Sequence, residues 1–201
     1  HNATGSPTNI ALTGTGTTPT IGTSGTGVFG NVPVNTSSTA RTITISNTGL
    51  APLVISTVTL GGTDPGQFAI TGMPDSSIPA GSSSTVSVTY NPTAAASHSA
   101  TLVITHNATG SPTNIALTGT GTTPNVTTNP ATATNITFGN IKVDINSFVK
   151  SISIANGSGA TVAPLVISSV SISGTDRADF IITSSPATTV DAGASTELRL
   201  I

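Results

Sequence analysis

The sequence contains no cysteine, and charged and aromatic residues make up only 6% and 3% of its 201 positions. Without cysteine the chain forms no disulfide and offers no thiol for catalysis or for a zinc ribbon. Five Lys and Arg side chains are too few to neutralise a run of nucleic-acid phosphates. No apolar run approaches the roughly 18 residues that span a membrane. The sequence therefore argues against thiol chemistry, a nucleic-acid partner and a membrane segment.

Small hydroxyl side chains are abundant instead, since Thr and Ser together supply 66 residues. The hydrophobic fraction of 35% and the net charge of −2 are not those of a disordered chain, so we expect a folded protein. The residues after His1 have neither the basic nor the apolar region of a secretory signal. Any export signal or anchor is therefore expected outside this sequence.

A segment of nineteen residues occurs twice, because residues 1–19 and 106–124 both read HNATGSPTNIALTGTGTTP. Chance does not produce an identity of this length, so the chain contains an internal repeat. Diverged matches follow at a slightly larger offset, and residues 51–56 and 163–168 both read APLVIS. The repeat unit is thus about 105 to 112 residues long.

The repeat predicts three parts of the chain. Residues 1–19 are predicted to be the last strand of a preceding repeat plus its linker, and residues 20–124 a complete repeat. Residues 125–201 are predicted to be a second repeat, truncated before its last two strands. Two explanations stay open: the sequence is an excerpt of a longer polypeptide, or residues 1–19 of one molecule insert into the incomplete repeat of the next. Donation would leave the sixth strand unfilled, which favours the excerpt.

Within a repeat, apolar and hydroxyl residues alternate with a period of two. Residues 42–46 read TITIS and residues 85–89 read TVSVT, which is the pattern of half-buried antiparallel strands. We predict seven strands in the complete repeat, near residues 27–34, 40–46, 53–60, 67–71, 84–90, 98–106 and 113–119. Seven short strands in about 100 residues are typical of a β-sandwich.

The same alternation predicts which side chains face the interior. The predicted inward set is Ile43, Ile45, Val54, Val86, Val88, Leu102, Ile104, Ile115 and Leu117, with Thr101 and Thr105 facing solvent. The aromatic residues are predicted to belong mostly to the core, with Phe29 equivalent to Phe138 and Phe68 equivalent to Phe180. Phe148 has no counterpart in the complete repeat and is a candidate for exposure.

Six short motifs, each weak alone, follow one another in a specific order. They are Phe-Gly-x-Val at 29–32, Asn-Thr-Gly-x-Ala-Pro-Leu-x-Ile at 47–55, Gly-Thr-Asp-x-x-x-Phe at 62–68, Pro-Ala-Gly-x-Ser at 79–83, Tyr-x-Pro-Thr at 90–93 and Ala-Leu-x-Gly-Thr-Gly at 116–121. In this order the chain resembles the abnormal-spindle/hydin type of immunoglobulin-like repeat. More narrowly, it resembles the tandem form found in bacterial surface proteins called choice-of-anchor D.

The resemblance implies an all-β chain of tandem seven-stranded immunoglobulin-like sandwiches of the PapD-like, hydin type. It also implies an exported array that ends in one of several interchangeable anchors. Many members carry a Cys pair around the Pro-Ala-Gly turn, where this sequence has Pro74 and Ser84. The departure concerns the covalent cross-link and not the fold.

Three groups of residues are candidates for chemistry. His98 and His106 lie on one face of the predicted sixth strand, but roughly 26 Å apart, so they cannot share a metal and are expected to be solvent-facing or rim histidines at the strand ends. Asp176 and Asp179, with Arg177 between them, could form a calcium site, although a turn with an Asx cap is the stronger expectation. Residues 119–124 superficially resemble a phosphate loop, but they lack its Lys and are predicted to be strand end and linker.

No catalytic, cofactor-binding or metal-binding residue is therefore predicted, no cofactor is expected, and the chain is not expected to be an enzyme. We predict a structural spacer in a long, repetitive, exported cell-surface or extracellular filament protein. Its expected partners are neighbouring repeats, including head-to-tail self-association. One alternative is an adhesin-like module that binds glycan or protein through end loops, for which only residues 142–150 are distinctive. A second alternative is a hydin-type scaffold associated with the cytoskeleton or the cilium.

Overall fold

The computed structural model describes residues 2–131, 135–159 and 161–201. Nearly all regular structure in these residues is β-strand, interrupted by two short 3₁₀ turns at Pro65–Gln67 and Arg177–Asp179. The strands are β1 (Ile21–Ser24), β2 (Val28–Pro33), β3 (Arg41–Asn47), β4 (Leu53–Gly61), β5 (Phe68–Gly72), β6 (Ser77–Ile78), β7 (Ser83–Tyr90), β8 (Ser97–His106), β9 (Thr113–Thr122), β10 (Val126–Asn129), β11 (Lys150–Asn156), β12 (Leu165–Val166), β13 (Ile182–Ser184), β14 (Thr189–Val190) and β15 (Ser195–Leu200). No helix in the described ranges is long and apolar enough to cross a bilayer.

Strands β1 to β9 form the first unit, which is a sandwich of two sheets. One sheet has the order β1-β3-β7-β5, and the other has the order β2-β9-β8-β4-β6. The β2–β9 pair is parallel, while every other pair in the unit is antiparallel. The prediction of an immunoglobulin-like β-sandwich is confirmed, and all seven predicted strands of this unit are present.

The core of the first unit lies between the two sheets, where the alternating side chains of both meet. Leu102 and Ile104 of β8 are fully buried, as are Ile43, Ile45, Val86, Val88 and Leu117. Three aromatic rings, Phe29, Phe68 and Tyr90, stack at centroid distances of 4.9 to 5.8 Å. Each fully buried aliphatic side chain contributes about 1.5 to 3 kcal/mol by its removal from water.

The predicted inward position of Val54 is wrong. Its side chain is 44% exposed, while its neighbours Leu53 and Ile55 are 0% and 7% exposed. Residues 51–55 are apolar almost without interruption, so their alternation cannot be read from the sequence. The pairing of β4 with β8 also shifts register between Ile55 and Thr57, which changes the phase of the strand along its length.

Two strands of the first unit were not predicted. The short strand β1 pairs with β3, and the chain then crosses to the other sheet through Gly25, whose φ is +115°. Only glycine fits there, because a Cβ at Gly25 would lie 2.6 Å from the Thr42 carbonyl oxygen. Strand β6 has two residues and pairs with the start of β4. Neither strand is long enough to show an alternating pattern.

Strands β10 to β15 form the second unit, which repeats part of this plan. Its four-stranded sheet has the order β10-β11-β15-β13, matching β1-β3-β7-β5, and β12 pairs with β14 as β4 pairs with β6. The ring centroids of Phe138 and Phe180 lie 5.4 Å apart with an interplanar angle of 58°. These values are close to the 5.6 Å and 57° between the rings of Phe29 and Phe68. Residues 135–149, which contain the counterpart of β2, carry no strand.

The strand predicted within residues 1–19 is not formed, since residues 2–20 carry no strand in the structure. The identical residues at 113–122 form β9, where β8 and β2 lie on either side. A strand is stable only when its backbone groups find partners, and no described strand lies beside the first copy. Its assignment to a preceding repeat stays a prediction.

Candidate functional site: the joint between the units

Asn47, the last residue of β3, is a buried polar side chain that joins three segments of the first unit. It is 1% exposed, and its Nδ2 donates to the carbonyl oxygens of Ala51 at 2.8 Å and Ile78 at 3.0 Å. Its Oδ1 accepts from the backbone N–H groups of Thr20 at 3.3 Å and Gly49 at 3.1 Å. The side chain therefore binds the segment that enters the unit, the turn after β3 and strand β6.

Asn156 occupies the same position in the second unit, at the end of β11, and is also 1% exposed. Its Nδ2 donates to the carbonyl oxygens of Ala163 at 2.8 Å and Val190 at 3.0 Å. Its Oδ1 accepts from the backbone N–H of Asn125 at 3.0 Å. We call Asn47 and Asn156 the asparagine clamps, because each fixes the chain at its entry into a unit.

A glycine beside each clamp allows the entering chain to come close. A Cβ at Gly49 would lie 2.4 Å from the nitrogen of Thr20 and 2.5 Å from the carbonyl oxygen of Thr18. A Cβ at Gly157 would lie 2.7 Å from the Asn125 side chain. At Gly49 the neighbours are backbone atoms, which a real Cβ does not approach so closely, so the clamp of the first unit needs glycine there, whereas at Gly157 only the Asn125 side chain would have to move.

The linker between the units is bonded along its length. Strand β9 runs to Thr122, which is 3% exposed, and the next residue already contacts the second unit. The N–H of Thr123 donates to the Thr161 carbonyl oxygen, and the Thr123 carbonyl oxygen accepts from the N–H of Ala163, both at 3.0 Å. Two residues later, Asn125 is held by its clamp. The joint therefore leaves no stretch of unbonded backbone between the units longer than one residue.

The two identical segments stand in opposite environments. Leu117 of β9 is fully buried, whereas its copy Leu12 is 91% exposed. A Cβ at Gly119 would lie 2.5 Å from the Tyr90 ring, whereas nothing lies within 4 Å of a Cβ at Gly14. Gly119 is thus required where the segment packs as β9, because the backbone there lies directly against an aromatic ring.

His98 is half-buried at the start of β8, as expected of a histidine at the rim, and it is bonded to an aromatic partner. Its Nδ1 lies 2.6 Å from the Tyr90 hydroxyl. Burial raises the pKa of the Tyr90 hydroxyl, and the negative charge of Asp64 raises it further. Asp64 itself accepts from the backbone N–H of Ser99 at 2.9 Å. The arrangement stabilises the start of β8 beside an open groove of about 330 Å³ lined mainly by small polar residues.

His106 is buried at 6% exposure, so its predicted position in solvent is wrong. Its Nδ1 accepts from the N–H of Ala108 at 3.2 Å, which leaves Nε2 to donate to the Thr113 hydroxyl at 2.9 Å. Burial lowers the pKa of this imidazole. The even spacing along β8 that puts Leu102 and Ile104 inward puts His106 inward as well, and this signal was available in the sequence.

The other chemical candidates have structural explanations. Asp176 begins a 3₁₀ turn without a side-chain capping bond, so the expected Asx cap is absent, and the described residues hold no group of three or more His, Asp or Glu suited to a metal. In the phosphate-loop candidate, Gly121 packs its backbone against the first unit, where a Cβ would lie 2.0 Å from the Ala94 carbonyl oxygen. This loop belongs to β9, as predicted.

The distinctive stretch 142–150 is an irregular loop rich in exposed apolar side chains. Phe148 is 92% exposed, Val143 82% and Ile145 60%. Both lysines of the protein, Lys142 and Lys150, bound this loop.

Residues 17–113 match the family model described as "Abnormal spindle-like microcephaly-assoc'd, ASPM-SPD-2-Hydin". A search of curated protein sequences finds no match to the chain.

Solved structures with a similar fold come from human and bacterial proteins. The ASH/PapD-like domain 7 of human CEP192 is 12% identical over 58% of this chain and 95% of that domain, with a TM-score of 0.39. A protein of unknown function from Porphyromonas gingivalis W83 is 15% identical over 90% of this chain and 81% of its own, with a TM-score of 0.41. The secreted serine protease VesC of Vibrio cholerae is 14% identical over 86% of this chain and 44% of its own, with a TM-score of 0.40.

Proposed function

We propose that the chain is a non-catalytic spacer segment in a long repetitive protein, since residues 17–113 match the abnormal-spindle/hydin family model and fold within an immunoglobulin-like sandwich. In this proposal the protein is exported and forms part of a cell surface or an extracellular filament, with immunoglobulin-like units arranged end to end. The finer assignment to choice-of-anchor D proteins stays a prediction within it.

The joint carries the proposal. A spacer sets distance only if its units cannot fold back on one another, and a long flexible linker would allow that. Here the chain passes from β9 through Thr123 and Asn125 while bonded to the second unit at both residues. Asn47, the equivalent clamp of the first unit, binds Thr20 at the entry of that unit, so the same contact is present in both units.

The surface composition supports an exposed, harsh setting. Only five Lys and Arg side chains occur in the chain, which leaves few cleavage sites for trypsin-like proteases. Since charged residues make up only 6% of the sequence, there is little surface charge for salt to screen. The absence of cysteine makes the fold independent of the redox state of its surroundings.

Export is tested by labelling cells that make the native protein. Antibodies raised against the chain should stain intact cells as strongly as permeabilised ones, and a protease added outside should remove the signal. A cytosolic protein serves as the control for intact membranes. Staining only after permeabilisation would contradict export and would favour an intracellular scaffold.

A recognition module is the second candidate, and the 142–150 loop favours it. The loop groups the exposed apolar side chains of Val143, Ile145 and Phe148 between the two lysines of the sequence. Binding of the chain to glycan and protein arrays, with Phe148→Ser as the matched variant, separates the two functions. Binding that is lost in this variant would favour recognition, whereas the spacer function predicts no specific signal.

A further inference from the structure

The first unit holds its two ends together through a parallel strand pair. Strand β2 follows the entry of the chain, and β9 is the last strand before its exit. Val28 pairs with Thr118, and after a shift of register the stretch Asn31–Pro33 pairs with Thr120–Thr122, in the same direction along both strands. Further backbone bonds extend this pair at each end, from the N–H of Thr118 to Gly27 and from the N–H of Val34 to Thr122, both at 2.9 Å.

Tension along the protein acts on this pair in one particular direction. A pull on the entering chain drags β2 toward its own beginning, and a pull on the departing chain drags β9 toward its own end. Because the strands are parallel, these two forces are opposite and lie along the strand axis. The hydrogen bonds of the continuous stretch Asn31–Pro33 are then loaded at the same time.

The antiparallel β8–β9 pair offers the contrasting geometry within the same unit. Ser97 at the start of β8 lies opposite Thr120 near the end of β9. A pull applied at these neighbouring ends separates the strands from one end, so the hydrogen bonds break one after another. The resistance to force should therefore depend on the direction of pulling.

Other contacts bear the tension before it reaches this pair at the entry and after it leaves the pair at the exit. At the entry, β1 pairs with β3 over Ile21–Ser24, and the asparagine clamp of Asn47 holds Thr20. At the exit, Thr122 is buried and Thr123 is bonded to the second unit. The joint thus passes tension directly from one unit to the next without a slack linker.

We infer that the β2–β9 pair is the element that makes the first unit resist tensile force along the chain. This inference rests on the proposed spacer function, because only a protein fixed at both ends experiences such tension. Gly27 is needed for this pairing, since a Cβ there would lie 2.1 Å from the Ala116 carbonyl oxygen and would push β2 away from β9.

Single-molecule force spectroscopy on the full chain tests the inference. The chain has no cysteine, so pairs of introduced cysteines define the pulling points uniquely. The substitutions Thr20→Cys and Thr123→Cys load the first unit along its natural axis, whereas Ser97→Cys and Thr123→Cys load the β8–β9 pair from its end. All three positions are exposed, so attachment does not disturb the core.

We expect the unfolding force along the natural axis to be at least about twofold higher than that of the β8–β9 geometry at the same loading rate, since forced unfolding follows the rate of unfolding and not the equilibrium stability. Equal forces in the two geometries would overturn the inference. That failure would leave the spacer proposal intact, because staining of intact cells tests export separately.

Two glycine variants test whether the β2–β9 pair is the element that resists force. Gly27→Ala should lower the force along the natural axis and leave the force in the β8–β9 geometry unchanged. Gly66→Ala is the matched control, because nothing lies within 4 Å of a Cβ at Gly66. If Gly27→Ala does not fold, as judged by Tyr90 fluorescence, the comparison of pulling directions in the native sequence still decides. A Gly27→Ala protein that folds and keeps its full natural-axis force would contradict the role of β2.

Discussion

Asn47 and Asn156, which are 109 positions apart, each donate two hydrogen bonds of 2.8 and 3.0 Å to equivalent carbonyl oxygens. Each also accepts the N–H of the residue that enters its unit, Thr20 or Asn125. The sequence around the two residues has diverged and differs in length, yet the bonds are kept. The entry of the chain into a unit is therefore a specified part of the repeat and not a neutral connection.

Substitution of Asn47 by alanine should destabilise the first unit by about 2 to 4 kcal/mol, because it removes the partner of the buried Ile78 carbonyl oxygen and of the partly buried Ala51 carbonyl oxygen and Thr20 N–H. Tyr90 is the only Tyr and the chain has no Trp, so intrinsic fluorescence in urea reports unfolding of the first unit alone. Asn114→Ala, at an exposed position of β9, should change the stability by less than about 0.5 kcal/mol. Equal losses of stability in the two variants would contradict the stabilising role of the Asn47 side chain.

The two copies of the repeated segment provide a control at the level of single glycines. Gly119→Ala should cost about 1 to 3 kcal/mol, because its Cβ would lie 2.5 Å from the Tyr90 ring. Gly14→Ala changes the same residue in the same local sequence, and it should leave the urea midpoint unchanged. A comparable loss in Gly14→Ala would show that residues 8–17 also pack as a strand.

The register of β4 is tested by two adjacent residues. Leu53 is fully buried and Val54 is 44% exposed, so Leu53→Ala should cost about 2 to 5 kcal/mol and Val54→Ala less than about 1 kcal/mol. The unfolding free energies can be compared in the same urea experiment. The reverse order would support the register that the sequence predicts.

Acid should weaken the first unit through His106. Burial lowers the pKa of this imidazole in the folded state, while the unfolded chain keeps the ordinary value of about 6.5. The unfolded state therefore binds more protons in this range, and the unfolding free energy falls as the pH drops below about 6.5. A proton on Nδ1 would also break the bond from the N–H of Ala108.

Urea unfolding between about pH 7.5 and about pH 5, above the range where carboxylates titrate, measures this effect. His106→Gln should remove the decrease, and His98→Gln should keep it. An identical pH dependence in the native protein and in His106→Gln would assign the decrease to another group.

The sequence was sufficient where strands alternate regularly, and insufficient where the information lies in tertiary contacts. Residues 42–46 and 85–89 alternate without interruption, so β3 and β7 and their buried residues were predicted. Residues 51–55 do not alternate, and a bulge follows them, so the register of β4 could not be read. The clamps were not predicted, because an Asn before a Gly is typical of an ordinary turn. Their one signal was the presence of Asn at the same place in both repeats.

A distance measurement between two spin labels, one on each unit, tests most directly whether the joint holds the units at a fixed geometry. Thr85→Cys in β7 and Glu197→Cys in β15 place labels at equivalent exposed positions, and no native cysteine competes for them. We predict a single narrow distance distribution between the labels, which becomes broad when Asn156→Ala releases Asn125. A broad distribution in the native joint, unchanged by Asn156→Ala, would contradict the account.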